Sequence, residues 1–287
     1  MPTDPWVIMP VLAHPAYTEA AISDVLAQTR PCRLLVINQG VESAFRRRLE
    51  ALAEDSARVF VWSHQPSLPS LAATWNRALQ FAWSCGAEQA LVVNNDVRLA
   101  PNTLEQLDGV MGHCDALVVT GVSVGPKQFS PGQALLPVML TPPNDDGWGE
   151  VLERGGPDFS CFYLSRAAHW KYPFDEAFTP AYCEDVDLHR RMLLGGDGAR
   201  IYSINLPFLH HRSTTLKTVD EKTRAAIERQ TAAGARAYYR AKWGGDVNEE
   251  RWIVPFDATS GNAGGVTTPE LSAEVQRGQA DRPTEAR

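Results

Sequence analysis

Over residues 1–120, short runs of β-branched and aliphatic residues alternate with amphipathic stretches. That alternation is the pattern of a wound α/β sheet, in which each strand is covered by the helix that follows it. The strands read as Trp6–Leu12, Arg33–Ile37, Arg58–Trp62, Gln89–Val93 and Ala116–Thr120, and the helices between them as Thr18–Gln28, Ser43–Glu54, Ser70–Cys85 and Pro101–Met111. The third helix is the clearest: Leu71, Trp75, Leu79 and Trp83 recur every four residues and Gly86 stops it. Beyond Thr120 the pattern loosens. Gly121–Gly156 is rich in Gly and Pro and reads as the loops and hairpins of an active-site rim. A strand follows at Phe159–Leu164, then a helix at Glu184–Leu194 stopped by Gly195-Gly196, a strand at Ala199–Ile204 and a long helix at Val219–Trp243. Residues 258–287 contain no aromatic side chain and read as a flexible tail.

Composition narrows the function classes. The 287 residues carry 27 Lys and Arg against 34 Asp and Glu, a net charge of −7, which excludes a basic nucleic-acid coat. The excess is local: Asn144–Asp187 holds ten acids and three bases, a field that repels an anionic ligand unless a cation accompanies it. Five cysteines without a C-x-x-C pair suggest neither a disulfide framework nor a zinc knuckle. The start carries no basic signal-peptide region, and no window approaches the ~20 apolar residues of a membrane span. A soluble, cytoplasmic protein is expected.

Three clusters carry chemistry. Asn94-Asn95-Asp96 closes the strand at Val93, at the carboxyl edge where open α/β sheets bind ligands. A carboxylate there can hold a hard divalent cation, although a plain βα turn explains the same residues. Glu184, Asp185 and Asp187 start a helix whose first turn favours acids, but three in four residues exceed that need. Asp187 and Arg191 stand four apart as an ion pair, leaving Glu184 and Asp185 for a site, where a carboxylate can serve as general base. His210-His211 follows the strand and Pro207, offering imidazole to a metal. Ser213, Thr214, Thr215 and Lys217 then suit phosphate oxygens.

Taken in order, the segments resemble a known family. Leu71-Ala-Ala-Thr-Trp-Asn76, Ala90-Leu-Val-Val-Asn-Asn-Asp96 with its DxD-like end, Phe174-Asp175-Glu176, Glu184-Asp185-Val186-Asp187-Leu188 with Arg190, and His211-x-Ser213-x-Thr215 are similar to the motifs of family-2 glycosyltransferases, in particular the rhamnosyltransferase-like branch. The resemblance implies a GT-A fold: an α/β chain with a Rossmann-like, mostly parallel central sheet flanked by helices. It implies one catalytic domain over residues 1–257, divided into a nucleotide-binding half (1–120), an acceptor and catalytic half (121–217) and a C-terminal helical segment (218–257). It further implies a nucleotide-diphosphate sugar donor and a divalent cation, Mn²⁺ or Mg²⁺, with inversion by direct displacement. Asp96 would bind the metal with His210 or His211, Asp185 would be the base with Glu184 beside it, and Pro10, Leu12, Asn38, Asn76, Asn94 and Asn95 would line the donor. The chain departs from the family in carrying Asn38 after the second strand where an acid is usual, His14 after the first where Asn is frequent, and Asn94 for the first acid of the DxD.

Rival readings are a nucleotidyltransferase of similar fold and a nucleotide-sugar-binding module without catalysis. The first needs a Gly-rich basic loop after the first strand, where His14-Pro15-Ala16-Tyr17 has neither feature. The acceptor is open among a glycan, a lipid-linked glycan, another hydroxyl and a modified nucleic-acid base; Arg46-Arg47-Arg48 reads foremost as a solvated face.

Overall fold

The computed structural model describes residues 4–63, 68–125, 157–211 and 233–260. In chain order the elements are β1 (Trp6–Val11), α1 (Pro15–Leu26), β2 (Arg33–Asn38), α2 (Ser43–Asp55), β3 (Val59–Ser63), α3 (Leu71–Ser84), β4 (Gln89–Val93), β5 (Val97–Arg98), α4 (Thr103–His113), β6 (Val118–Val124), β7 (Cys161–Ser165), α5 (Arg166–Lys171), α6 (Glu184–Leu194) and β8 (Ile201–His210). A further helix, α7, is described from 233 to 243. Ser213 to Lys217, most of the expected rim and most of the expected tail lie outside the described residues.

The strands form one sheet in the order β3-β2-β1-β4-β7-β6-β8-β5. β3, β2, β1 and β4 are parallel, β7 runs antiparallel between β4 and β6, β8 is parallel to β6, and β5 is an antiparallel edge. Strand periodicity sorts the core into two layers. Val7, Met9 and Val11 of β1 point to the face covered by Val25 of α1, Phe45 of α2 and Leu107 of α4. Trp6 and Ile8 point to the opposite face, against Trp75 and Leu79 of α3 and Met192 of α6. Covered on both faces, β1 is buried along its whole length, and its near-continuous apolar run in the sequence follows from that burial. Ser70 caps α3 by accepting a hydrogen bond from Ala73 N at 3.1 Å.

Three features of the sheet differ from the sequence expectation. β6 runs on past Thr120 to Val124, because Gly121 is a point of close strand approach and not a breaker. A Cβ at Gly121 would lie 2.3 Å from the Leu206 carbonyl oxygen. β8 runs to His210 instead of ending at Ile204, with a register shift opposite Gly121, where Thr120 pairs Ser203 and Val122 pairs Pro207. The irregularity accommodates a proline that cannot donate to the ladder. β5, only two residues long, is held by Asp24, which accepts from Arg98 Nη2 at 3.0 Å and Leu99 N at 3.1 Å. The consequence is positional: His210 lies within a strand and pairs with Val97, one residue beyond Asp96.

No helix among the described residues is long and apolar enough to cross a membrane.

Candidate active site

The ends of β1, β2, β4 and β8 meet the start of β7 along one sheet edge, since Val93 pairs with Cys161 and Val97 with His210. Asp96 is buried there, and its Oδ1 stands 3.3 Å from His210 Nε2. The other ring nitrogen, Nδ1, is 3.0 Å from Ser160 Oγ. Ser160 donates its hydroxyl to Asp158 Oδ1 at 2.6 Å and its backbone N–H to the same oxygen at 2.9 Å. Sequence reasoning missed Asp158 and Ser160, which lie next to the stretch read as rim. The signal available was their place just ahead of a strand that pairs with β4. His211 lies beside the pair: its N–H donates to the Asp96 carbonyl at 3.0 Å, while its ring is centred 4.5 Å from that of Tyr17.

The second group stands at the start of α6, as the sequence indicates. Tyr182 and Cys183 both take positive φ, 83° and 68°, which turns the chain sharply into the helix. Glu184 is buried, and its Oε2 has no hydrogen-bond partner among the described residues. Burial first, and the Asp185 charge second, push its carboxyl up to about 8. Asp185 is half-buried, and its Oδ1 accepts from Val186 N at 2.8 Å. Its carboxyl is raised by burial and by the charge of Asp158, a link between the α6 carboxylates and the β7 group. Asp187 is different in kind. Fully buried, it accepts from Arg191 Nε at 2.8 Å and Trp243 Nε1 at 2.9 Å, and lies 2.7 Å from Lys242 Nζ. It ties α6 to α7, as its separation from the site by helical offset requires.

The residues expected along the donor divide by what they touch. Asn76 makes all four hydrogen bonds an amide can make. It donates to Phe174 O at 2.8 Å and Glu176 Oε1 at 3.0 Å, and accepts from Phe174 N and His169 Nε2, each at 3.0 Å. No capacity remains for a donor; Asn76 instead fixes the Phe174–Glu176 segment. Asn38 is also engaged internally, accepting from Gly40 N and Val41 N at 2.9 Å each and donating to Ser63 Oγ at 3.2 Å. Asn95 donates to Ala13 O and Thr18 Oγ1, each at 2.8 Å, and so joins the β1–α1 turn to β4. Asn94 donates its N–H to Ser160 O at 2.9 Å, Pro10 lies within β1 opposite Ile37, and Leu12 is exposed just past the end of β1.

The Asp96–His210 spacing suits a divalent cation. Mg²⁺-type ions bind their ligands at about 2.1 Å, which places adjacent octahedral ligands about 3 Å apart. Among the described residues no group of three or more His, Cys, Asp or Glu is gathered around one point. A two-residue site leaves the rest of the shell to water and phosphate oxygens, the usual arrangement at phosphate-handling sites.

No protein-family model and no curated protein sequence matches the chain. Solved structures do match. Residues 1–349 of S. aureus TarS align over 83% of this chain and 73% of that one, at 13% identity and a TM-score of 0.54; the same protein has been solved with UDP and with UDP-GlcNAc. The mannosyltransferase PcManGT from Pyrobaculum calidifontis, in complex with GDP-Man and Mn²⁺, aligns over 96% and 70% at 14% identity with a TM-score of 0.58. The fold is GT-A. A mycobacterial protein matches over 82% of this chain and 74% of that one, at 17% identity and a TM-score of 0.52. The sequence expectation for the fold class therefore holds, with antiparallel β7 and β5 as the departures from a parallel sheet.

Proposed function

We propose that the chain is a metal-dependent, inverting glycosyltransferase of the family-2 type, moving a sugar from a nucleotide-diphosphate sugar to an acceptor hydroxyl. The observation that carries the reading is the Asp96–His210 pair, 3.3 Å apart at the carboxyl edge of a GT-A sheet, with the Glu184–Asp185 pair at the start of α6 linked to it through Asp158, whose charge raises Asp185 and which accepts from Ser160 behind His210. Structural neighbours solved with UDP-GlcNAc in one case and with GDP-Man and Mn²⁺ in another support the donor class and the ion.

Asp96 and His210 would hold the cation, and its chemistry is to offset the charge that develops on the departing diphosphate. An imidazole ligand beside a carboxylate favours Mn²⁺ over the harder Mg²⁺. The remaining work belongs to the α6 pair. Glu184, held protonated near neutral pH by its burial, keeps one proton in the pair, so Asp185 is the member that accepts another. Its raised carboxyl lies nearer the working pH than a free aspartate, which improves it as a general base. Asp185 takes the acceptor hydroxyl proton as that oxygen bonds to the anomeric carbon. The bond from that carbon to the diphosphate oxygen breaks on the opposite face, and the configuration inverts. No covalent sugar–enzyme intermediate is required.

The test is incubation with a panel of nucleotide sugars and Mn²⁺, following nucleoside diphosphate release. Asp185→Asn is expected to bind donor as the wild type does and to lose transfer, whereas Asp96→Ala is expected to lose donor binding in Mn²⁺. Unchanged transfer in Asp185→Asn, or unchanged donor binding in Asp96→Ala, overturns the corresponding role.

A further inference from the structure

We infer that Asp158 and Ser160 are positioning residues that lock His210 in one tautomer and so prepare it as an imidazole ligand of the cation. The inference rests on the glycosyl-transfer reading only for the identity of that ion. The argument is a count of donors and acceptors. Ser160 has one hydroxyl proton, and at 2.6 Å from Asp158 Oδ1 that proton is donated to the carboxylate. Its oxygen therefore accepts from His210 Nδ1 at 3.0 Å, so Nδ1 carries the N–H. In the neutral ring Nε2 is then left with its lone pair, aimed at Asp96 Oδ1 3.3 Å away. Two electron-rich atoms at that separation repel each other unless a cation lies between them, so the lock prepares a two-ligand site. The backbone holds the lock in register. Ser160 N also donates to Asp158 Oδ1 at 2.9 Å, Ser160 O accepts from Asn94 N at 2.9 Å, and His210 is fixed opposite Val97 in β8.

The tautomer is read directly, without metal or substrate, from long-range ¹H–¹⁵N correlations of ¹⁵N-histidine-labelled protein. His210 is expected as the Nδ1–H form in the wild type and in Ser160→Thr, which keeps the hydroxyl, and as a mixture in Ser160→Ala and Asp158→Ala. Mn²⁺ alone is then titrated, with the free ion followed by electron paramagnetic resonance. Ser160→Ala and Asp158→Ala are expected to weaken Mn²⁺ binding by about 10- to 100-fold, the usual consequence of losing an outer-shell partner. Ser160→Thr should stay within a few-fold of wild type, and His210→Ala should lose the site. An Nε2–H tautomer in the wild type overturns the inference, as does unchanged Mn²⁺ affinity in Ser160→Ala or a wild type that binds no Mn²⁺. If the tautomer and Mn²⁺ affinities behave as expected but no nucleotide sugar is consumed, the lock stands and the glycosyl-transfer reading fails.

Discussion

Replacing Glu184 by Gln should stabilise the protein near neutral pH while removing part of its pH dependence. Glu184 is buried, with Oε2 unpartnered among the described residues, and its carboxyl is raised from 4.5 to about 8. The folded protein therefore holds this proton more tightly than the unfolded chain. Between those two values the folded state has the proton and the unfolded state has lost it, so stability falls as pH rises from 4.5 to about 8. Each unit of that window corresponds to about 1.4 kcal/mol. Between pH 5 and pH 7.5, Glu184 should therefore remove about 3 kcal/mol of stability. Glutamine matches the shape of the protonated acid and has no such proton to lose. The assay is urea unfolding of wild type and Glu184→Gln at both pH values, comparing the difference between the proteins so that the other titrating groups cancel. The gap should open in favour of the variant as pH rises. Parallel stabilities at the two pH values, or a gap that opens the other way, would refute the assignment of the buried proton to Glu184.

Asp187→Ala removes a fully buried carboxylate that faces Arg191, Lys242 and Trp243. Lys242 keeps Asp175 at 2.6 Å, but Arg191 loses its carboxylate and Trp243 Nε1 its buried acceptor, so the change should cost about 3 kcal/mol; thermal unfolding measures this. Asn76→Ala should cost about 2–4 kcal/mol in the same assay, since Phe174 and His169 lose buried partners. Gly121→Ala places a methyl 2.3 Å from the Leu206 carbonyl oxygen. It should cost about 1–3 kcal/mol through forced separation of β6 and β8, and weaken Mn²⁺ binding by displacing the end of β8 that carries His210.

The legible parts of the fold are those in which a single segment decides its own state. β1 to β4 and α1 to α4 carry apolar periodicities of two and of three to four, and their boundaries fall within a few residues of the expectation. α6 matches it end to end, because three acids begin it and Gly195 follows it. What escaped notice depends on partners. β5 is a strand only because β8 pairs with it and Asp24 holds Arg98. β6 continues through Gly121 only because β8 is irregular opposite it. Asn76, read as a donor contact by resemblance, is committed instead to Phe174, Glu176 and His169, a fact that no spacing along the chain contains.

The site divides in the same way. The sequence by itself determined the edge at which the polar cluster Asn94-Asn95-Asp96 would stand, since a cluster closing a buried parallel strand falls at the carboxyl edge of a wound sheet. It also determined which acids were surplus to helix capping, because helical offset removes Asp187 from the group. Only the tertiary structure decided that Asp96 faces His210, that Ser160 and Asp158 stand behind His210, and that Asp185 feels the charge of Asp158. Those relations join residues from the turn after β4, the segment ahead of β7, α6 and β8, up to 114 positions apart in the numbering of Asp96 and His210. The physical reason is the range of the forces. Periodicity and capping act over one or two turns of the chain, whereas hydrogen bonds and buried charges act on whatever the sheet order brings within about 3–6 Å.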